Sequence, residues 1–229
     1  MHRTLAALAL VSSLSPGPAR AVSGAYGVRL PAEGLVIDVP YTMGTHHEHV
    51  AEVHGTLRAD PVTLRLEGGR LVIPLAGFRS DDPKRGCHLR EALGLDYARS
   101  RFPREHVCDD RNQLPASGPD AIAFPEVVLE LRQGGPAAAS HEAGEVEVEG
   151  TLTLHGVTRP VKLHLVATRA ESAPGMLRVR GRVPIRLADF GVAVKPAKVL
   201  FVSIAVGDEV TVVVDALLEP LPGATGPPR

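Results

Sequence analysis

"EVEVEGTLTLHGVTRPVKLHLVA", Glu145 to Ala167, decides the fold. Val146, Val148, Gly150, Leu152 and Leu154 alternate with Glu145, Glu147, Glu149, Thr151 and Thr153. A period of two puts the first set on one face of a strand and the second on the other. "HGVTRP" (His155–Pro160) turns the chain, and Val161, Leu163 and Leu165 then alternate with Lys162 and His164. This is a long hairpin with one apolar and one solvated face.

The same pattern recurs on both sides. "LRVRGRVPIRL" (Leu177–Leu187) sets Leu177, Val179, Gly181, Val183, Ile185 and Leu187 against Arg178, Arg180, Arg182 and Arg186. The arginine row reads as a solvated outer face, paired with the acidic Glu145 strand. "VTLRL" (Val62–Leu66), an "EGG" turn and "RLVIPL" (Arg70–Leu75) read as a second hairpin. "IAFPEVVLEL" (Ile122–Leu131) and "DEVTVVVDALLE" (Asp208–Glu219) add further strands, with Pro125 favouring an edge or bulge. About eight strands result by this pattern, with one helix candidate. Long antiparallel strands with one buried face close into a barrel, which removes exposed edges. The expected fold is all-β, an eight-stranded antiparallel barrel with a short helix as a lid. Its inward residues are small aliphatics, which leaves two readings open, a barrel holding an apolar ligand and a barrel filled by its own side chains.

Composition excludes several classes. The 229-residue chain has a net charge of -1, no Trp, five Phe and three Tyr. Neither a basic stripe nor a base-stacking platform is present, so no nucleic-acid partner is expected. The N-terminus reads as an export signal, with basic Met1-His2-Arg3, apolar Leu5–Leu14 and the cleavage sequence Ala19-Arg20-Ala21. The apolar run is too short to span a bilayer. The expected organisation is a signal peptide over 1–21, a lead-in over 22–33, a barrel domain over 34–219 and a flexible tail over 220–229. The mature chain is then periplasmic or secreted, with no integral membrane segment. In such a compartment Cys87 and Cys108 are expected to form a disulfide.

"RGCHLREALGLDYARSRFP" (Arg85–Pro103) holds the helix candidate. Leu89, Leu93 and Tyr97 recur at i, i+4 and i+8, which places them on one helical face able to cover a barrel opening. A Cys87–Cys108 bond would close a loop of about 20 residues and contribute about 3 kcal/mol.

Three segments, in order and spacing, resemble the YceI-like family of lipocalin-like exported proteins. Arg85, His88, Leu89 and Arg90 match an R-D-x-H-L-R segment that precedes a short helix. "VEGTLTLHGVTRPVKLHL" (Val148–Leu165) is similar to the family's hairpin over nearly its whole length, and "LADFGV" (Leu187–Val192) resembles a late D-F-G segment. More weakly, His47 stands eight residues before Gly55, as a histidine does in the family. The resemblance spans most of 34–218. It implies a lipocalin-type barrel with a bound isoprenoid lipid, a quinone or polyprenyl chain, and no covalent cofactor. It also implies a non-enzymatic role in carriage, storage or stress protection. Two departures fall at the expected cavity mouth: Gly86 replaces an Asp, and Gly94-Leu95 stand where paired Phe residues would be. The stretch from Asp96 to Asp120 is also longer than usual. The candidate ligand-binding set is His47, Leu71, Ile73, His88, Leu89, Leu93, Val146, Val148, Leu152, Leu163, Val179, Val183 and Phe190.

"THHEHV" (Thr45–Val50) carries the rival chemistry. His46 and Glu48 share one face of a strand, His47 and His49 the other. Imidazoles at i and i+2 can share a metal. The alternative function is therefore a periplasmic metal binder or metal-dependent enzyme using His46, His47 and His49, with His88 as a further ligand to His47 and His49. No G-x-S-x-G, nucleotide loop or paired carboxylates appear, and the D-F-G has no companion kinase segments. No catalytic residues are expected. A dimer is compatible with the sequence, which does not specify it.

Overall fold

A computed structural model describes residues 23–32, 35–100, 117–118, 121–132, 143–170, 174–194, 197–199 and 202–223. Met1–Ala21, Cys108 and most of the long extension lie outside them. Three pairs of consecutive strands each act as one long strand with a break. β1 (Gly24–Arg29) and β2 (Leu35–Tyr41) form the first, β3 (Gly44–Val50) and β4 (His54–Asp60) the second. β5 (Arg65–Pro74) and β6 (Phe78–Ser80), joined by a 3-10 turn at Leu75–Gly77, form the third. Helix α1 (Pro83–Gly94) follows, then β7 (Glu126–Leu131), β8 (Ala143–Leu154), β9 (Val157–Arg169) and β10 (Leu177–Arg186). A small hairpin, β11 (Ala197–Val199) with β12 (Val202–Ile204), precedes β13 (Glu209–Pro220).

Every neighbour in the main sheet is antiparallel. Counting each broken pair once, the order around the sheet is the order along the chain, an up-and-down meander. It closes because β13 pairs with β10 on one side and with β1 and β2 on the other: Leu217 faces Arg29, and Val214 faces Leu35. The result is an eight-stranded antiparallel barrel. The stretch read as a lead-in, 22–33, thus contains β1, a stave of the wall. Among the described residues no helix is long and apolar enough to cross a membrane.

The β8–β9 hairpin follows its sequence closely. Leu154 pairs with Val157 across a two-residue turn, and both turn residues are left-handed (His155 φ 51°, Gly156 φ 72°). That geometry matches the twist of the flanking strands. Val146, Val148, Leu152 and Leu154 are buried, while Lys162 and Glu147 pair at 2.7 Å outside.

Two expectations need correction. Glu67-Gly68-Gly69 is no turn; it lies inside β5. The register of β5 against β4 slips by one residue there, and a Cβ on Gly69 would sit 2.3 Å from the Thr56 carbonyl oxygen. The glycines allow a bulge and a close strand approach. The turn is instead at Asp60–Leu64, where the Asp60 carboxylate accepts from the amides of Val62 (2.8 Å) and Thr63 (3.3 Å) and from the Thr63 hydroxyl (2.7 Å). The arginine row on β10 does not meet the acidic strand β8, because β9 stands between them. It pairs in the other direction: Arg178 is bidentate to Asp215 (2.7 and 2.5 Å), Arg182 reaches Asp38 (2.8 Å) and Arg186 approaches Asp208 (3.5 Å). The Arg178 guanidinium holds the Asp215 carboxyl below its ordinary range.

Candidate functional site

The inward faces of the strands do not fill the barrel. They enclose a cavity of about 690 Å³, within the range of ligand sites. Its wall is almost wholly aliphatic. β13 supplies Val210, Val212, Val214, Ala216 and Leu218, a clean alternation, and each other stave adds two to five residues. The floor is packed: Tyr26, Ala59, Leu64 and Leu177 are buried where β1, β4, β5 and β10 meet their ends.

The mouth is at the opposite end, where α1, the β2–β3 hairpin and the segment after β10 converge. Arg85, His88, Leu89, Ala92 and Leu93 project from one face of α1 into the cavity. Tyr97 lies beyond the end of α1 and does not line the cavity; Ala92 takes the place on the apolar face expected for it. Its hydroxyl donates to the Ala92 carbonyl, and burial pushes its ionisation well upward. The helix stops at Gly94 because Leu95 leaves to bridge Ile122. A clasp centred on the hairpin turn holds that end: the His155 ring packs on Tyr97 (4.7 Å) and Phe124 (4.8 Å), and its nitrogens face the carbonyls of Leu95 (2.7 Å) and Phe190 (3.3 Å). His88 bonds the buried Glu91 carboxylate at 2.8 Å, and that bond raises the His88 pKa, with Asp82 assisting and partial burial opposing.

Of the candidate ligand-binding residues, Leu71, Ile73, His88, Leu89, Leu93, Leu152, Leu163, Val179 and Val183 line the cavity. Four do not. Val146 and Val148 are almost fully buried and do not line the cavity, although their cross-strand partners Leu165 and Leu163 do. Phe190 is buried in the 3-10 turn Leu187–Phe190, and Leu187 faces the cavity instead. His47 points outward to Asp38 (2.9 Å), its side chain 54 % exposed.

The histidine cluster divides in the same way. His47 lies on the outer face of β3, as the alternation places His49, while His46 and His88 line the cavity, so the barrel wall separates the two sets. Among the described residues no group of three or more His, Cys, Asp or Glu side chains could hold a metal. Cys87 is fully buried in the first turns of α1; its expected partner Cys108 lies outside the described residues.

Tyr41, His46 and the whole of β13 were not singled out as ligand contacts from the sequence. The alternation of "VTVVV" was a usable signal for β13. Nothing comparable marked Tyr41, which meets the Arg85 guanidinium at 5.7 Å and His46 at 5.7 Å.

The YceI-like domain family matches residues 36–218. No curated protein matches the chain. Solved structures with a similar fold include a polyisoprenoid binding domain from Saccharophagus degradans implicated in plant cell wall breakdown, at 15 % identity and TM-score 0.55, covering 86 % of this chain and 99 % of that one. BcnA of Burkholderia cenocepacia is similar at 15 % identity and TM-score 0.53, with 80 % and 95 % covered. The YceI protein of Campylobacter jejuni follows at 13 % identity and TM-score 0.50, with 74 % and 82 % covered.

Proposed function

This chain belongs to the YceI-like domain family, and from that premise we propose that it is an exported binding protein holding an isoprenoid-type lipid, a quinone or polyprenyl chain, inside the barrel. The observation that carries the reading is the 690 Å³ cavity with its aliphatic wall. An apolar wall offers an apolar chain burial without directional demands, and the few polar groups, Arg85, His88 and His46, stand towards the mouth where a head group would lie. The ligand class named for the Saccharophagus degradans domain is the one this cavity suits. The role is carriage, storage or protection of the lipid rather than its chemical conversion. The basic start, apolar run and Ala19-Arg20-Ala21 support export to the periplasm or beyond. Cys87 and Cys108 form the disulfide that ties the lid to the extension.

Native mass spectrometry of the protein purified from an exporting host, with organic extraction of the same sample, tests this. The expected result is a co-purified mass in the quinone or polyprenyl range, and no titratable thiol after denaturation without reductant. A ligand-free barrel that takes up no added isoprenoid would overturn the lipid reading; two free thiols per chain would overturn the disulfide.

A further inference from the structure

Behind the lining of the cavity, on β3, stands a group that an apolar container does not need; it is not itself among the lining residues. Glu48 sits in the middle of β3, between two cavity-lining residues of the same face, His46 and Val50. It is fully buried, and neither carboxylate oxygen has a hydrogen-bond partner among the described residues. His46 Nε2 stands 3.4 Å from Oε1. Arg90 of α1, itself buried and donating to the Phe78 carbonyl at 3.3 Å, adds a favourable charge interaction. His46 in turn leans on Tyr41, and Tyr41 on Arg85 at the mouth. A polar track therefore runs from the mouth down the β2–β3 side to a carboxylate with empty acceptor positions. A buried acceptor left unsatisfied is costly and calls for a partner that the fold itself does not supply.

We propose that Glu48, reached along His46, is a head-group anchor that selects amphiphiles ending in a hydrogen-bond donor, an alcohol or an amine, over those whose head only accepts. The inference rests on the lipid-binding reading and narrows its ligand class to a polyprenyl alcohol, an amine or a reduced quinol, since an oxidised quinone head only accepts. A carboxylate accepts and does not donate. An O–H or N–H head satisfies it, whereas an ether of the same chain leaves both groups without a donor.

Three probes with one chain test this by isothermal titration calorimetry on the full protein: farnesol, farnesylamine and farnesyl methyl ether. The unmodified protein should bind the alcohol, the amine or both on the order of tenfold to a hundredfold more tightly than the ether. In Glu48→Leu, checked for folding by circular dichroism, that preference should vanish while the ether still binds. Glu48→Gln, nearly isosteric, keeps an acceptor oxygen without the carboxylate's charge and should lower affinity for the amine more than for the alcohol. Equal affinities for all three in the unmodified protein would overturn the anchor and leave the lipid-binding reading standing. So would a donor preference that survives in Glu48→Leu. Failure of every probe to bind would overturn the lipid-binding reading and the anchor with it.

Discussion

Glu48 is the residue at which this sequence departs most from what its fold requires. Alternation in "THHEHV" shows that Glu48 shares a face with His46, but period two fixes relative faces and not which face is inside. Only the pairing of β3 with β2 and β6 turns that face inward, with Ile37 and Ser80 opposite Glu48. Removing the carboxylate should therefore help the empty barrel. A buried polar group left without a hydrogen-bond partner costs about 1–3 kcal/mol of desolvation, which an aliphatic side chain of similar size removes. Glu48→Leu should thus raise the urea midpoint of the ligand-free protein. A loss of stability instead would show that the Arg90–Glu48 attraction outweighs the desolvation of the carboxylate.

Among the elements, α1 was legible as a lid from the spacing of Leu89 and Leu93, and its end was not. Tyr97 continues the periodicity on paper, yet Gly94 and the Leu95–Ile122 bridge stop the helix first, a tertiary event invisible to local pattern. The Gly68-Gly69 pair misleads for a related reason: glycine marks both turns and close backbone approach, and only the Thr56 carbonyl opposite decides between them. The lid also carries a pH dependence with a definite sign. His88 is raised above its ordinary value of 6.5 chiefly by the Glu91 hydrogen bond. Its contribution to lid stability is full below the unfolded value and is lost as pH rises through the folded one. Amide exchange in α1, corrected for intrinsic rates, should be slower at pH 6 than at pH 8, and His88→Gln should flatten the difference. A wild-type profile as flat as that of the variant would show that Glu91 does not hold the lid through His88.

For the whole molecule, the barrel and its inward face were readable because eight long staves each needed one buried side. Whether the barrel is full was not readable, since alternation gives direction and not volume. The structure decides it through the small size of the β13 row. Which face holds the lipid is testable on one strand. Leu163 lines the cavity, and His164, next along β9, is on the outside near Glu147 at 3.6 Å. Leu163→Arg would bury a guanidinium in an aliphatic wall, a change too costly to coexist with a lipid chain, and isoprenoid uptake should be abolished. His164→Arg leaves the charge in water and should not change uptake. Because Leu163→Arg can also weaken the fold, Leu163→Trp serves as the companion: it stays apolar, takes cavity volume, and should lower affinity for a long chain more than for a short one. Uptake by Leu163→Trp that is equal to the parent's for every chain length would place the lipid outside the barrel.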